Sequence, residues 1–233
     1  MPRIARARMT NDEYTQARVR LRRLATESRA KGDPTSWFEE LYSGANGKTV
    51  AIPWAHLEAN PLLVEWLATN QPETGSKRAL VVGCGLGDDA EALSAYGFAV
   101  TAFDVSPAAV QWCQRRFPDS RVEYTVADAL ALPEAWSGQF DLIVEIYTLQ
   151  TMPDEALRRQ IAANLTRCVA PSGSLLVICG GRDPDDEPGS MPWPLTRAEL
   201  AVFQQLGLQE VSFEDLLPKE PSSFRHFRAH YRA

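Results

Sequence analysis

The sequence predicts an α/β protein whose doubly wound, mostly parallel sheet carries helices on both faces. Three observations carry that expectation. From residue 78 onward, apolar β-branched runs alternate with stretches of helical length, the pattern of strand–helix–strand units joined by right-handed crossovers. The first run, Ala79 to Val82, passes straight into Gly83-Cys84-Gly85-Leu86-Gly87 and then into a helical pattern at Asp88. The rhythm breaks at the C-terminus, where Leu208–Glu214 and Phe224–Tyr231 read as strands joined by a proline-rich loop, an antiparallel hairpin that closes the sheet.

Taken in order, Thr10 and Glu13 have capping-box spacing and open a helix running to about Ala30. Tyr14, Ala17, Leu21, Leu24 and Ser28 share one of its faces, so it should dock on the rest of the chain. A short aromatic helix, Thr35 to Tyr42, follows, and Asn60-Pro61 starts another at Leu62 to Ala68, with proline in the first turn it favours. Strands are then expected at 79–83, 99–104, 122–126, 140–146 and 174–179, with helices near 88–96, 107–116, 154–169 and 196–206. Ala170 to Gly173 reads as a tight turn before the fifth strand. Residues 1–77 thus form an N-terminal helical extension and lid, and residues 78–233 the main domain.

Composition sets the outer bounds. With 233 residues and 45% apolar content the chain can bury a real core, and no window approaches the roughly 18 uninterrupted apolar residues of a membrane span. The start, MPRIARARMT, lacks an apolar run and does not read as a secretory signal. Cys84, Cys113, Cys168 and Cys179 form no CxxC pair and read as reduced thiols of a cytoplasmic protein. Residues 1–32 hold nine Lys/Arg against three Asp/Glu, while the whole chain has net charge −6. Such a helix can contact nucleic acid or lean on its own acidic body; the lack of interleaved aromatics favours the second.

Chemistry concentrates at the strand ends. The glycine turn allows a sharp bend and a close approach by a ligand. Asp104 ends the second strand, where a carboxylate can accept both hydroxyls of a ribose. The turn departs from the dinucleotide fingerprint GxGxxG, because Asp88 stands where a third glycine is wanted. Asp88 and Asp89 would repel a phosphate but suit a cationic ligand. Asp128 follows the third strand and Glu145-Ile146-Tyr147 the fourth. His226 and His230 lie four apart on a predicted strand without a third ligand, so no metal site is expected.

GCGLG, AFDVS, VADAL and FDLIVEIYTLQ, in that order over residues 78–180, resemble the class I S-adenosylmethionine-dependent methyltransferases. That resemblance implies a Rossmann-like seven-stranded sheet with S-adenosylmethionine as cofactor and S-adenosylhomocysteine as product. It implies that Gly83, Cys84, Gly85, Gly87 and Asp89 pass beneath the amino-acid part, that Asp104 and Val105 hold the ribose, and that Asp128 and Ala129 meet the adenine. Glu145 would touch the methionine moiety or help the acceptor, and Tyr147 would line the methyl path. Trp37-Phe38, Pro53-Trp54 and Pro61 are arranged like the lid residues of the thiopurine and thiol/halide methyltransferases, although Ala55-His56 stands where that group has an acid. The implied acceptor is a small molecule bearing a thiol, phenol or amine, with Trp37 and Trp54 as lid and Arg182 and Trp193 as acceptor contacts. Where a base is required, His56 or Glu145 is the expected one. The chain would act as a monomer or homodimer away from membranes. The alternatives are a nucleic-acid methyltransferase using the basic helix, a non-catalytic S-adenosylmethionine-binding protein and, more distantly, a nicotinamide oxidoreductase.

Overall fold

A computed structural model describes residues 11–189, 191–217 and 224–233. Strands β1 (Arg78–Val82), β2 (Ala99–Asp104), β3 (Glu123–Val126), β4 (Phe140–Ile146), β5 (Val169–Gly180), β6 (Gln209–Leu216) and β7 (His226–Arg232) form one sheet in the order β3-β2-β1-β4-β5-β7-β6. β1 to β5 are parallel, and β7 runs antiparallel between β5 and β6. The expected mostly parallel sheet with a C-terminal hairpin is therefore present. Its order reverses between β1 and β4, and such a switch point opens a crevice at the strands' C-terminal ends.

Strand alternation divides the core in two. Leu80, Val82, Phe103, Ile143 and Val177 face one cluster, and Ala79, Val81, Ala102, Val144 and Ile178 face the other. Helices α3 (Pro61–Asn70) and α4 (Asp88–Tyr96) cover the second through Leu63, Trp66, Leu67, Ala90 and Leu93. Helix α6 (Glu155–Cys168) covers the first through Ile161, Ala162 and Leu165. α3 lies before the expected boundary at residue 77 yet packs as a covering helix of the sheet. Helices α1 (Asn11–Ala30) and α2 (Ser36–Gly44) build a third cluster with Leu86, with Met191, and with Ala109 and Trp112 of α5 (Pro107–Arg116).

Ala17, Leu21, Leu24 and Ser28 are buried, so α1 docks by the face its periodicity marks. The Thr10–Glu13 capping box and Tyr14's side chain lie outside the described residues. Arg20 donates to the Gly44 and Glu40 carbonyls, and Arg29 stacks over Trp193 at 5.4 Å, so the basic helix leans on its own chain.

Two expectations are refined. Residues 170–173 belong to a continuous β5, but between Phe140↔Val169 and Leu142↔Ser174 the register slips. Ser172 has φ 62° there, and a Cβ on Gly173 would lie 2.8 Å from the Ala170 carbonyl oxygen, so the turn signal marks an irregularity inside the strand. The helix expected at 196–206 is two single turns, α7 (Arg197–Leu200) and α8 (Val202–Gln205), with Ala201 N bonding to both Arg197 O and Ala198 O between them. Among the described residues, no helix is long and apolar enough to cross a membrane.

Candidate active site

β1 ends level with its neighbours, Val82 pairing with Phe103 on one side and Glu145 on the other. The glycine turn therefore emerges between the ends of β2 and β4. Cys84 N donates to Phe103 O (2.8 Å), stitching the turn to β2. Gly85 has φ 55°, and a Cβ there would lie 3.1 Å from the Tyr42 hydroxyl. Gly87 has φ 91°, strained for any other residue, and a Cβ would lie 2.6 Å from the Tyr124 hydroxyl, which would have to shift.

Asp104 stands beside that turn. Its Oδ2 accepts from Gly85 N (3.0 Å) and its Oδ1 from Ser106 N (2.9 Å), and it is 5% exposed. Burial pushes its carboxyl up to about 6, restrained by those two backbone bonds and raised further by the charge of Glu39. Val105, half-buried, leads from Asp104 to Ser106, whose hydroxyl caps α5 at Ala109 N.

The two acids opening α4 diverge. Asp88 meets Arg116 in a two-pronged pair (2.9 and 2.8 Å), so its charge is neutralised away from the turn's mouth. Asp89 accepts from Asn60 N at 2.6 Å, and burial pushes its carboxyl up to about 6. Of the two acids, Asp88 is held in an ion pair and Asp89 by a backbone N–H.

Asp128 follows β3 and closes a turn by accepting from Leu130 N at 2.8 Å. The Ala129 carbonyl accepts from the Asn164 side chain at 2.9 Å, fixing that backbone against α6. Glu145 is fully buried; its Oε1 accepts from Thr148 N (2.6 Å) and Leu149 N (2.9 Å), while Oε2 has no partner. Burial outweighs both bonds and pushes the carboxyl up to about 7. Tyr147, at φ 63°, holds a left-handed conformation unusual for an aromatic residue, and strain of this kind gathers at functional sites.

Aromatic side chains of α2 and of the loop after it pack against the glycine turn. Trp37 stacks on Phe38 (3.7 Å between centroids), and Trp54 meets Trp37, Phe38 and Tyr42 edge-on. Trp54 Nε1 donates to the Tyr42 hydroxyl at 2.9 Å, which places that hydroxyl over Gly85. From the same α2, Glu39 Oε2 accepts from Ser106 Oγ (2.5 Å) and Ala108 N (3.0 Å), a carboxylate at the positive end of α5. A cleft of about 500 Å³ between α2 and α5 is lined by Glu39, Tyr42 and Trp112 among others.

The remaining expected residues are dispersed. His56 is exposed. Arg182 spends Nε on Pro194 O, one terminal nitrogen on the Asp183 and Asp186 carbonyls and the other on Glu199, a structural pattern that corrects its expected acceptor role. Trp193 donates its backbone N–H to Gln150 O and packs against the cluster of Trp37 and Tyr42. Sequence reasoning missed Glu39, Tyr42, Asn60 and His226. Their signal was weak, because each acts across a sequence separation that no local spacing encodes.

Residues 79–173 match the family model described as a methyltransferase domain. That stretch is a methyltransferase domain. A ubiquinone biosynthesis O-methyltransferase of Thiobacillus denitrificans is 34% identical over 143 residues, covering 60% of this chain and 53% of the relative. One of Pseudomonas aeruginosa is 27% identical over 172 residues, covering 73% of this chain and 66% of the relative. The chain thus spans about half to two thirds of the length of the curated relatives it matches. Among solved structures, the N-methyltransferase NodS of Bradyrhizobium japonicum WM9 with S-adenosylhomocysteine superposes at TM-score 0.63 with 21% identity, covering 82% of this chain and 97% of that one. That likeness concerns the methyltransferase domain's fold.

The site fits its cofactor on observations of its own. The crevice is edged by Asp89 and Asp104 and has an unpartnered buried oxygen at Glu145, whereas Asp88 is already paired. Carboxylates in that arrangement suit an ammonium, a sulfonium and ribose hydroxyls, and repel a pyrophosphate.

Proposed function

We propose that the chain transfers a methyl group from S-adenosylmethionine to a small-molecule nucleophile. The observation that carries this is the buried Asp104 carboxylate bonded to Gly85 N, which locks the glycine turn to the ribose-accepting acid. Gly83, Cys84, Gly85 and Gly87 would lie under the amino-acid part, Asp104 and Val105 at the ribose, Asp128 and Ala129 at the adenine, and Asp89 and Glu145 would complement positive charge.

When bound, the cofactor supplies a methyl already attached to a sulfonium leaving group, so this chain's residues need only align an acceptor and exclude water. Tyr42, Trp54, Trp37 and Phe38 roof the turn and perform the exclusion. Tyr147, held in its strained conformation at the end of β4, positions the acceptor. His56 lies exposed, and the fully buried Glu145, with Oε1 bonded to two backbone N–H groups, keeps Oε2 for a ligand.

The acceptor class is a thiol, phenol or amine, and the O-methyltransferase names of the curated relatives favour a hydroxyl. The likeness of Trp37 and Trp54 to the thiopurine and thiol/halide lids supports an acceptor small enough to enclose. The internal bonds of Arg20 and Arg29 weigh against a nucleic-acid substrate. The four cysteines are free and three are buried, in keeping with a reducing cytoplasm.

The test is a screen of phenols, thiols and amines against radiolabelled S-adenosylmethionine. Turnover of at least one class, lost on Asp104→Ala, is the expected result. Donor binding without transfer to any acceptor would favour the non-catalytic alternative instead.

A further inference from the structure

Resting on that reading, we propose that His226 is the general base of this site and that the acceptor is a hydroxyl compound. His226 is the first residue of β7 and pairs with Gly180 at the end of β5, which places it along the same sheet edge as the glycine turn. The residues assigned to adenine, ribose and methionine follow β3, β2 and β1. The next strand ends in the row, β4 and β5, are left for the acceptor. Tyr147 and His226 meet there, their ring centroids 5.9 Å apart and tilted by 52°.

Two features set the imidazole's protonation. The neighbouring Phe224 backbone favours the protonated ring, but less strongly than burial disfavours it. Burial holds its pKa below the usual histidine value, so the neutral form prevails at pH 7. The charged neighbours are otherwise engaged. Arg225 pairs with Asp183 and with Asp215 on β6, while across the crevice Asp89 accepts from Asn60, whose side chain donates to the Tyr147 hydroxyl at 3.4 Å. On β5 and β6 its strand partners are the uncharged Gly180 and Leu216. His230, on the same strand face, stacks edge-on against Trp66 and bonds Ser174, a structural role.

The step balances. The unprotonated nitrogen of the neutral imidazole takes the acceptor's hydroxyl proton as an oxygen lone pair forms the new C–O bond. The C–S bond breaks with its electrons going to sulfur, leaving a neutral thioether, and the imidazolium returns its proton to solvent. Tyr147 is a positioning residue, its ring packed against His226 and setting the imidazole's orientation toward the acceptor.

The test combines imidazole NMR with kinetics on the full chain. His226 signals, assigned by their loss in His226→Gln, should titrate below the ordinary histidine range and shift on saturation with S-adenosylhomocysteine. With the hydroxyl acceptor found by the screen, His226→Gln should lose about a hundredfold or more in kcat, as general-base removal does. It should also lose the low-pH limb of the profile and keep donor affinity within about twofold. His226 signals indifferent to bound S-adenosylhomocysteine, or a screen returning only thiols, would overturn the proposal while leaving the methyltransferase reading standing. Absence of S-adenosylhomocysteine binding would overturn both.

Discussion

Replacing Asp104 by Asn separates the two things its carboxylate does. Burial raises its pKa from 3.8 to about 6, so keeping it ionised inside the fold at pH 7 costs about 3 kcal/mol. Asn removes that cost, but it turns an NH₂ toward either Gly85 N–H or Ser106 N–H, both of which now donate to the carboxylate. Leaving one of these buried donors unpaired costs roughly 1–3 kcal/mol. The two effects nearly cancel, and the variant should fold with stability within about 2 kcal/mol of the parent. Binding should not be spared, because hydrogen bonds to a charged acceptor contribute about 1.5–3 kcal/mol, or roughly 10- to 100-fold in affinity. Protonation removes the same acceptor in the parent. With a pKa of about 6, S-adenosylhomocysteine affinity should fall about tenfold between pH 8 and pH 5 from Asp104 alone. Calorimetric titration at both pH values reads each quantity, and the variant's pH slope should be shallower by about one proton. Unchanged affinity and slope in a folded Asp104→Asn protein would refute the reasoning.

Other perturbations probe the frame around the turn. Glu145 has its folded pKa raised to about 7 from 4.5, so its contribution to stability is full below about 4.5 and is lost as pH rises through about 7. Glu145→Gln should stabilise the ligand-free protein by on the order of 3 kcal/mol at pH 8 and by under about 1 kcal/mol at pH 5, read from urea melts. Gly87→Ala meets both φ 91° and the Tyr124 hydroxyl at 2.6 Å, a hydroxyl that donates to Glu91. A loss of about 2–4 kcal/mol is expected, with S-adenosylhomocysteine binding abolished; an unaltered urea midpoint would show that the turn yields easily. Arg116→Met strands Asp88, whose side chain is 18% exposed, and frees Leu86 O. Thermal melting should report about 1–3 kcal/mol of destabilisation, recovered in part by adding Asp88→Asn.

Much of this architecture is written locally. Ala79 to Val82 is an unbroken apolar run because β1 is covered on both faces, and Gly87 is glycine where any other residue would be strained. Asn60 and Pro61 announce α3 with a side chain that accepts from Leu62 N. Asp104's place at the end of β2 follows from strand length alone. Long-range partnership is another matter. Glu39 caps a helix that starts at Pro107, and His226 meets Tyr147 across the sheet; both depend on how helices and strands stack after they form. Asp88 reads as a site acid until Arg116, on another helix, is seen to neutralise it. The same holds for Arg182, whose partners Pro194 and Glu199 become visible only once the chain after β5 has turned back on itself.

The most direct test of the central claim is equilibrium binding of S-adenosylmethionine to the wild-type chain, with S-adenosylhomocysteine and NAD as competitors. The account predicts one saturable site from which S-adenosylhomocysteine displaces the ligand and NAD does not. No binding by the folded protein, or displacement by NAD, would contradict it.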